Sequence, residues 1–206
     1  MKIKEILELS ALFLGIVNGW MLLKNYLNDR PKLKVHPVHP DVYQWWFTLP
    51  AGTFKDVRTR RYGFLVYVGI ANSGLRKVSL DSWRLFIPVS PFKQVELRSV
   101  NIPEPQGKIG KSGNVKIYPV LGQKGNFFEG NTLIEPGASI IGMVYYIAEF
   151  YGVETWNPLI KDKKIEAKFL IKDVFGNRKS TKVVFSEVSL EWIKSIIEGI
   201  EEICDR

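Results

Sequence analysis

The chain is expected to be mainly β, an antiparallel β-sandwich with a helix at each end. Three observations lead there. Residues 6–23 form one apolar run, residues 31–186 alternate apolar and polar side chains between turn signals, and six apolar residues near the C-terminus recur at helical spacing. The 206 residues accordingly divide into an N-terminal membrane anchor helix (1–30), a β-sandwich domain (31–186) and a C-terminal amphipathic helix (187–206).

The first helix is read as a transmembrane helix. Residues 9–23 carry no charge, and counting from Ile6 gives 18 residues with Glu8 near one end. A hydrocarbon core of about 30 Å asks for about 20 apolar residues. Trp20 and Tyr26 fall where interfacial rings sit, and Lys24, Arg30, Lys32 and Lys34 follow. Pro31 ends the helix, because proline disfavours helical geometry in the residue before it. The competing readings are an interfacial or protein-buried helix and a cleaved leader. Ala11, Gly15 and Gly19 recur every fourth residue with Asn18 beside them, a face on which helices approach closely. The resulting expectation is a single-pass protein of the cell membrane, its sandwich facing the cytoplasm, because four cations follow the run against two lysines and the amino terminus before it.

Strand signals follow in order. Leu33 and Val35 alternate with lysines, and Phe64, Val66, Val68 and Ile70 alternate up to the turn Asn72-Ser73-Gly74. Val78 and Leu80 lead to Trp83, Leu85 and Ile87 with a phase break near Asp81-Ser82, the mark of a bulge. Val95 and Leu97 form a further strand. Residues 101–114 read as a loop, and Val115, Ile117 and Pro119 as an edge strand. Residues 140–147 make a long buried strand after Glu135-Pro136-Gly137. Ile165, Ala167, Phe169 and Ile171 make another, turned by residues 173–177 into 182–185. Leu190, Ile193, Ile196, Ile197, Ile200 and Ile203 then line one face of a helix starting near Ser189.

The stretch Val68-Gly69-Ile70-Ala71-Asn72-Ser73-Gly74 with Val78-Ser79-Leu80-Asp81-Ser82-Trp83 resembles a signature of immunoglobulin-like sandwich modules. Residues 133–139 and 173–177 are similar to two later turns of the same modules. Uncharacterised bacterial single-span membrane proteins combine such a sandwich with an N-terminal helix. The resemblance covers residues 30–186 and departs where Arg76-Lys77 replaces a proline and in the added C-terminal helix. It implies an immunoglobulin-like fold and leaves the function open.

Composition narrows the chemistry. Hydrophobic residues at 46% exclude a disordered chain, and a single cysteine, Cys204, excludes an internal disulfide. The net charge of +8 is uneven: residues 1–186 carry 27 Lys and Arg against 15 Asp and Glu, residues 187–206 two against six. A basic body suits anionic lipid as well as a merely solvated surface. The lysines are interspersed with acids, so no specific nucleic-acid partner is expected. Gly110-Lys111-Ser112 lacks the glycine spacing and helix of a phosphate loop. His36 and His39, with Asp41, lie three apart in an extended segment, which does not preassemble a metal site. Cys204 has no nearby base, and Glu149 with Glu154 is a bare carboxylate pair. No cofactor, metal or catalytic residue is therefore expected, and the chain reads as a non-enzyme.

The remaining signal is for binding. Tyr43, Trp45, Trp46 and Phe47 form the densest aromatic cluster, on a 25-residue connection between the first two strands, with Arg58, Arg60 and Arg61 behind them. They are the candidate partner-binding residues. Ala11, Gly15, Asn18 and Gly19 are the candidate helix–helix contacts. The expected function is a membrane-tethered interaction or scaffold module, with the lipid bilayer and a protein partner or a second copy as its contacts. A carbohydrate- or polymer-binding sandwich using the loop around Trp45-Trp46 is the alternative.

Overall fold

The computed structural model describes residues 3–40, 42–100, 102, 106–108, 114–116, 121, 132–151, 157–197 and 200. Helix α1 spans Ile3–Asn28. Strands β1 (Leu33–Pro37), β2 (Trp45–Leu49), β3 (Thr53–Phe54), β4 (Val57–Arg58), β5 (Arg60–Asn72), β6 (Val78–Ser90) and β7 (Lys93–Val100) follow. Then come β8 (Gln106–Lys108), β9 (Asn114–Lys116), β10 (Thr132–Ile134), β11 (Ser139–Phe150), β12 (Lys164–Asp173), β13 (Arg178–Glu187) and helix α2 (Leu190–Ile196). The loop expected over residues 101–114 thus contributes β8, which pairs with β9 as a small hairpin.

The immunoglobulin-like sandwich is corrected to a closed barrel of seven strands, β5-β11-β7-β6-β12-β13-β2 and back to β5. Strand β2 closes it. It pairs antiparallel with β5 from Trp45↔Leu65 to Leu49↔Arg61, and parallel with β13 at Ser186↔Trp45 and Glu187↔Trp46. The length of β5 makes this possible. Its 13 residues extend for about 43 Å. One edge is fully taken by β11, while the other is shared, β2 on its first half and β1 on its second. The bulge expected near Asp81 is present: the register with β12 slips between Lys172↔Ser82 and Asp173↔Leu80.

Alternation sorts the side chains into two cores. Phe64, Val66, Val68 and Ile70 of β5, Tyr146 of β11, Phe169 of β12 and Phe185 of β13 fill the barrel. The opposite faces of β2, β5 and β11 carry Trp45, Phe47, Leu49, Leu65, Met143 and Tyr145 outward, where α2 covers them. Gly63 is required beneath this layer, since a Cβ there would lie 2.4 Å from the ring of fully buried Phe47. Ser189 caps α2 by accepting the Trp192 amide at 3.2 Å. The helix expected over 187–206 is only Leu190–Ile196, with Ile197 already extended; Ile193, Ile197 and Ile200 are buried and Leu190 and Ile196 half-buried, whereas Ile203 and Cys204 lie outside the described residues.

The transmembrane reading of α1 is also corrected. Among the described residues no helix is long and apolar enough to cross a membrane. The reason lies in the run itself. Residues 9–23 reach only about 22 Å at 1.5 Å per residue, and Ser10, Asn18 and two glycines dilute them. Extending the run meets Glu8 at one end and Lys24 at the other. The single-pass placement in the cell membrane, and the cytoplasmic orientation derived from it, lose their basis.

Inside the barrel the Tyr146 hydroxyl is buried with no hydrogen-bond partner among the described residues. Burial pushes its pKa well above the ordinary 10.0. Tyr146→Phe is expected to stabilise the fold by about 1 kcal/mol by removing that unpaired group. The pH dependence has a definite sign. Above pH 10.0 the unfolded tyrosine ionises while the buried one stays neutral, so this group's contribution to wild-type stability falls as pH rises. Denaturation midpoints at neutral and alkaline pH should therefore diverge between wild type and variant. A variant less stable than wild type at both pH values contradicts the assignment.

Candidate functional site at the root of the apolar helix

The aromatic cluster is structural. Trp45, Trp46 and Phe47 are 5%, 3% and 0% exposed, which leaves no ring face for a sugar or polymer to stack on. They belong to β2 and not to a loop. Trp46 points into the barrel and donates its indole N–H to the Lys163 carbonyl at 3.0 Å. Half-buried Tyr43 meets His39, Trp45 and Tyr67 edge-on. The three arginines are separated: Arg58 is exposed on β4, Arg60 is half-buried and Arg61 is buried. Arg61 Nε lies 4.0 Å from Glu149 Oε1, the oxygen to which Thr59 donates at 2.6 Å. Glu149 is thus engaged in holding β5 to β11. The His36 ring packs over Gly69. Asp41, Glu154 and Gly110-Lys111-Ser112 lie outside the described residues. Among the described residues there is no group of three or more His, Cys, Asp or Glu able to hold a metal ion.

Helix α1 has the opposite character. Every side chain from Glu8 to Leu27 except Val17 is exposed, including Ala11, Asn18 and the apolar Leu12, Phe13, Leu14, Ile16, Leu22 and Leu23. Nothing lies within 4 Å of a Cβ built on Gly15 or Gly19. The helix nevertheless has a firm root. Asn72, 1% exposed at the end of β5, accepts from the Lys32 and Gly74 amides through Oδ1. Its Nδ2 donates to the Arg76 and Ile134 carbonyls. Gly74 packs so closely that a Cβ would fall 2.3 Å from the Arg30 carbonyl oxygen. Arg76 pairs with Asp29 at 3.6 Å, and the Arg30 guanidinium sits 4.8 Å over the Tyr26 ring.

Beside this root lies a groove of about 780 Å³. Strand β1 and the first half of β13 lie side by side here without a hydrogen-bonded ladder between them. Lys32 and Lys34 line one wall, Arg178 and Lys179 the other, and Arg30 and Arg76 the end nearest α1. Tyr26 and Phe175, the latter 68% exposed, supply apolar surface. Among the described residues the one carboxylate in the lining, Asp173, is 1% exposed and turned into its own loop. It accepts from the Phe175 and Asn177 amides at 2.9 and 2.8 Å and from Asn177 Nδ2 at 2.9 Å. Gly176, with φ of +86°, permits that turn. Sequence reasoning missed the groove because its walls are about 145 residues apart in the chain.

No family model matches this chain, and no curated protein matches it. Among solved structures it is similar to a Bacillus subtilis protein described as a putative lipoprotein, at 14% identity and a TM-score of 0.40. That match covers 76% of this chain and 38% of the other, so the chain spans well under half of that protein's length. A structural-genomics target is similar at 8% identity and a TM-score of 0.30, over 78% of this chain and 89% of its own. Likeness at this level leaves the function to be argued from the barrel and its helix.

Proposed function

We propose that this protein is a non-enzymatic interaction module in which the barrel carries α1 as an assembly element, and that copies of α1 bury one another. One observation carries the reading: among the described residues, every side chain of this 26-residue helix from Glu8 to Leu27 except half-buried Val17 is exposed, the apolar ones included. A helix apolar all round is a buried helix in its working state. One neighbouring helix covers only a stripe, so the girth of α1 favours a bundle of several copies over a pair. Small residues at Ala11, Gly15 and Gly19 allow at least one close approach within it. The braced root at Asn72 supports the same reading, because a fixed helix presents its surface at low entropic cost.

Sedimentation of the full-length chain tests this. The wild type is expected to sediment as an oligomer. Each buried Leu or Ile contributes about 1.5–3 kcal/mol, and about 1.4 kcal/mol is a factor of ten in an equilibrium constant. Leu14→Lys should therefore weaken assembly by about tenfold or more while the barrel's melting temperature holds. Gly15→Leu and Gly19→Leu should weaken it more than Leu12→Ala if the small-residue face is the close contact. A monomeric wild type at all accessible concentrations defeats the proposal.

A further inference from the structure

We propose that the groove between β1 and β13 is a binding site for a multiply charged oxyanion, a phosphate-bearing ligand with an apolar part. Six cations from three separate segments converge on it: Arg30, Lys32 and Lys34 before and on β1, Arg76 in the turn after β5, and Arg178 and Lys179 on β13. The acids nearby leave them largely unneutralised. Asp29 pairs with Arg76 alone. Asp173 spends its oxygens on the amides of its own turn. No ion pair among the described residues engages Arg30, Lys32, Lys34, Arg178 or Lys179. Like charges held this close repel one another, and an incoming polyanion relieves that repulsion.

The chemistry of the lining selects further. Three of the six are arginines, whose planar guanidinium forks match the paired oxygens of phosphate. The volume of about 780 Å³ exceeds what a single phosphate needs and suits a larger ligand. Tyr26 and exposed Phe175 offer that ligand's apolar part a surface beside the charges. The walls are strand backbone, and the end is fixed by the Asn72 hydrogen bonds, so the cations sit on a framed site. This inference is independent of the assembly of α1. Lys32, Lys34, Arg178 and Lys179 lie on or beside barrel strands, and the readout below is binding, not oligomeric state.

The source of the phosphate, a free polyanion or a lipid headgroup, is separated by two probes. Titration of the full-length protein with tripolyphosphate is compared with co-sedimentation on phosphatidylcholine vesicles with and without phosphatidylglycerol. The double variant Arg178→Glu with Lys179→Glu changes two exposed side chains of the groove. The control Lys164→Glu with Lys168→Glu makes the same charge change on exposed positions of β12. Arg178→Gln with Lys179→Gln serves should charge reversal disturb folding, which melting curves show.

The expected result is binding to one of the probes that weakens with added salt. It should drop by about tenfold or more in the groove variants, the equivalent of one lost charge-assisted hydrogen bond, and persist in the control. Tripolyphosphate binding identifies a free polyanion, and binding confined to phosphatidylglycerol vesicles identifies a headgroup. Binding to neither probe, or an equal loss in the control, overturns the proposal.

Discussion

Ile193→Asp is expected to destabilise the protein by about 3–5 kcal/mol, a large part of the 5–15 kcal/mol that typically separates folded from unfolded states. Ile193 is fully buried at the centre of the outer core. Its loss forfeits the packing of α2 on Trp45, Phe47 and Tyr145, and a carboxylate there finds no partner. Seven residues are far too few to hold a helix in water by themselves. The helix should therefore undock instead of accommodating the charge, exposing Trp45, whose ring now meets that of Trp192 edge-on with centroids 4.7 Å apart. Urea denaturation followed by tryptophan emission measures both consequences, a lower midpoint and a red-shifted folded baseline. Ile196→Asp supplies the comparison. Ile196 is only half-buried, so its cost should be about 1–2 kcal/mol. Equal midpoints for the two variants would show that the isoleucine stripe does not pack on the barrel.

The same outer core explains which parts of the fold were legible in the sequence. Strand β12 has one face in the barrel and one in solvent, and its side chains alternate buried and exposed from Ile165 to Ile171. Strand β2 has both faces covered, Trp46 by the barrel and Trp45, Phe47 and Leu49 by α2. A strand buried twice shows no alternation, so Trp45-Trp46-Phe47 passed for an aromatic binding loop. Missing β2 as a strand meant missing barrel closure, because β2 pairs with both β13 and β5. The immunoglobulin-like resemblance rested on turns such as Asn72-Ser73-Gly74 and Asp173–Asn177. Those turns are present, but turns do not say which strand edges meet.

Helix α1 illustrates a different limit. Its extent and its end before Pro31 were readable from apolar character and proline chemistry. The step from apolar helix to membrane span depended on length, and the charge-free run fell short. The groove was invisible for a third reason. Lys32 and Lys34 alternate on β1 as any solvent-facing lysines do, and Arg178-Lys179 follows an ordinary hairpin turn. Only the long-range apposition of β1 and β13 turns two unremarkable pairs into one concentration of charge.

Asn72→Ala is expected to cost about 2–4 kcal/mol and to loosen α1 from the barrel. The side-chain amide joins three segments at this end: Lys32 behind the helix, Gly74 and Arg76 in the following turn, and Ile134 on β10. Alanine leaves two amides and two carbonyls without their partner, and each typical hydrogen bond contributes about 0.5–1.5 kcal/mol, more when a buried group is stranded. The backbone has little freedom to compensate. The Asn72 amide already donates to the Ala138 carbonyl at 3.0 Å, its carbonyl accepts from Gly137 at 2.8 Å, and Gly74 is wedged against Arg30. Asn72→Asp sharpens the test, because it keeps an acceptor for Lys32 and Gly74 but aims a second one at the Arg76 and Ile134 carbonyls. Its deficit relative to wild type should shrink at acid pH, where a protonated carboxyl can donate in place of the lost N–H. Hydrogen exchange at the Lys32 and Gly74 amides should accelerate in Asn72→Ala while the amides of β12 stay protected, placing the damage at the helix root. If Asn72→Ala melts within about 0.5 kcal/mol of wild type and those two amides keep their protection, the root is held by something other than this side chain.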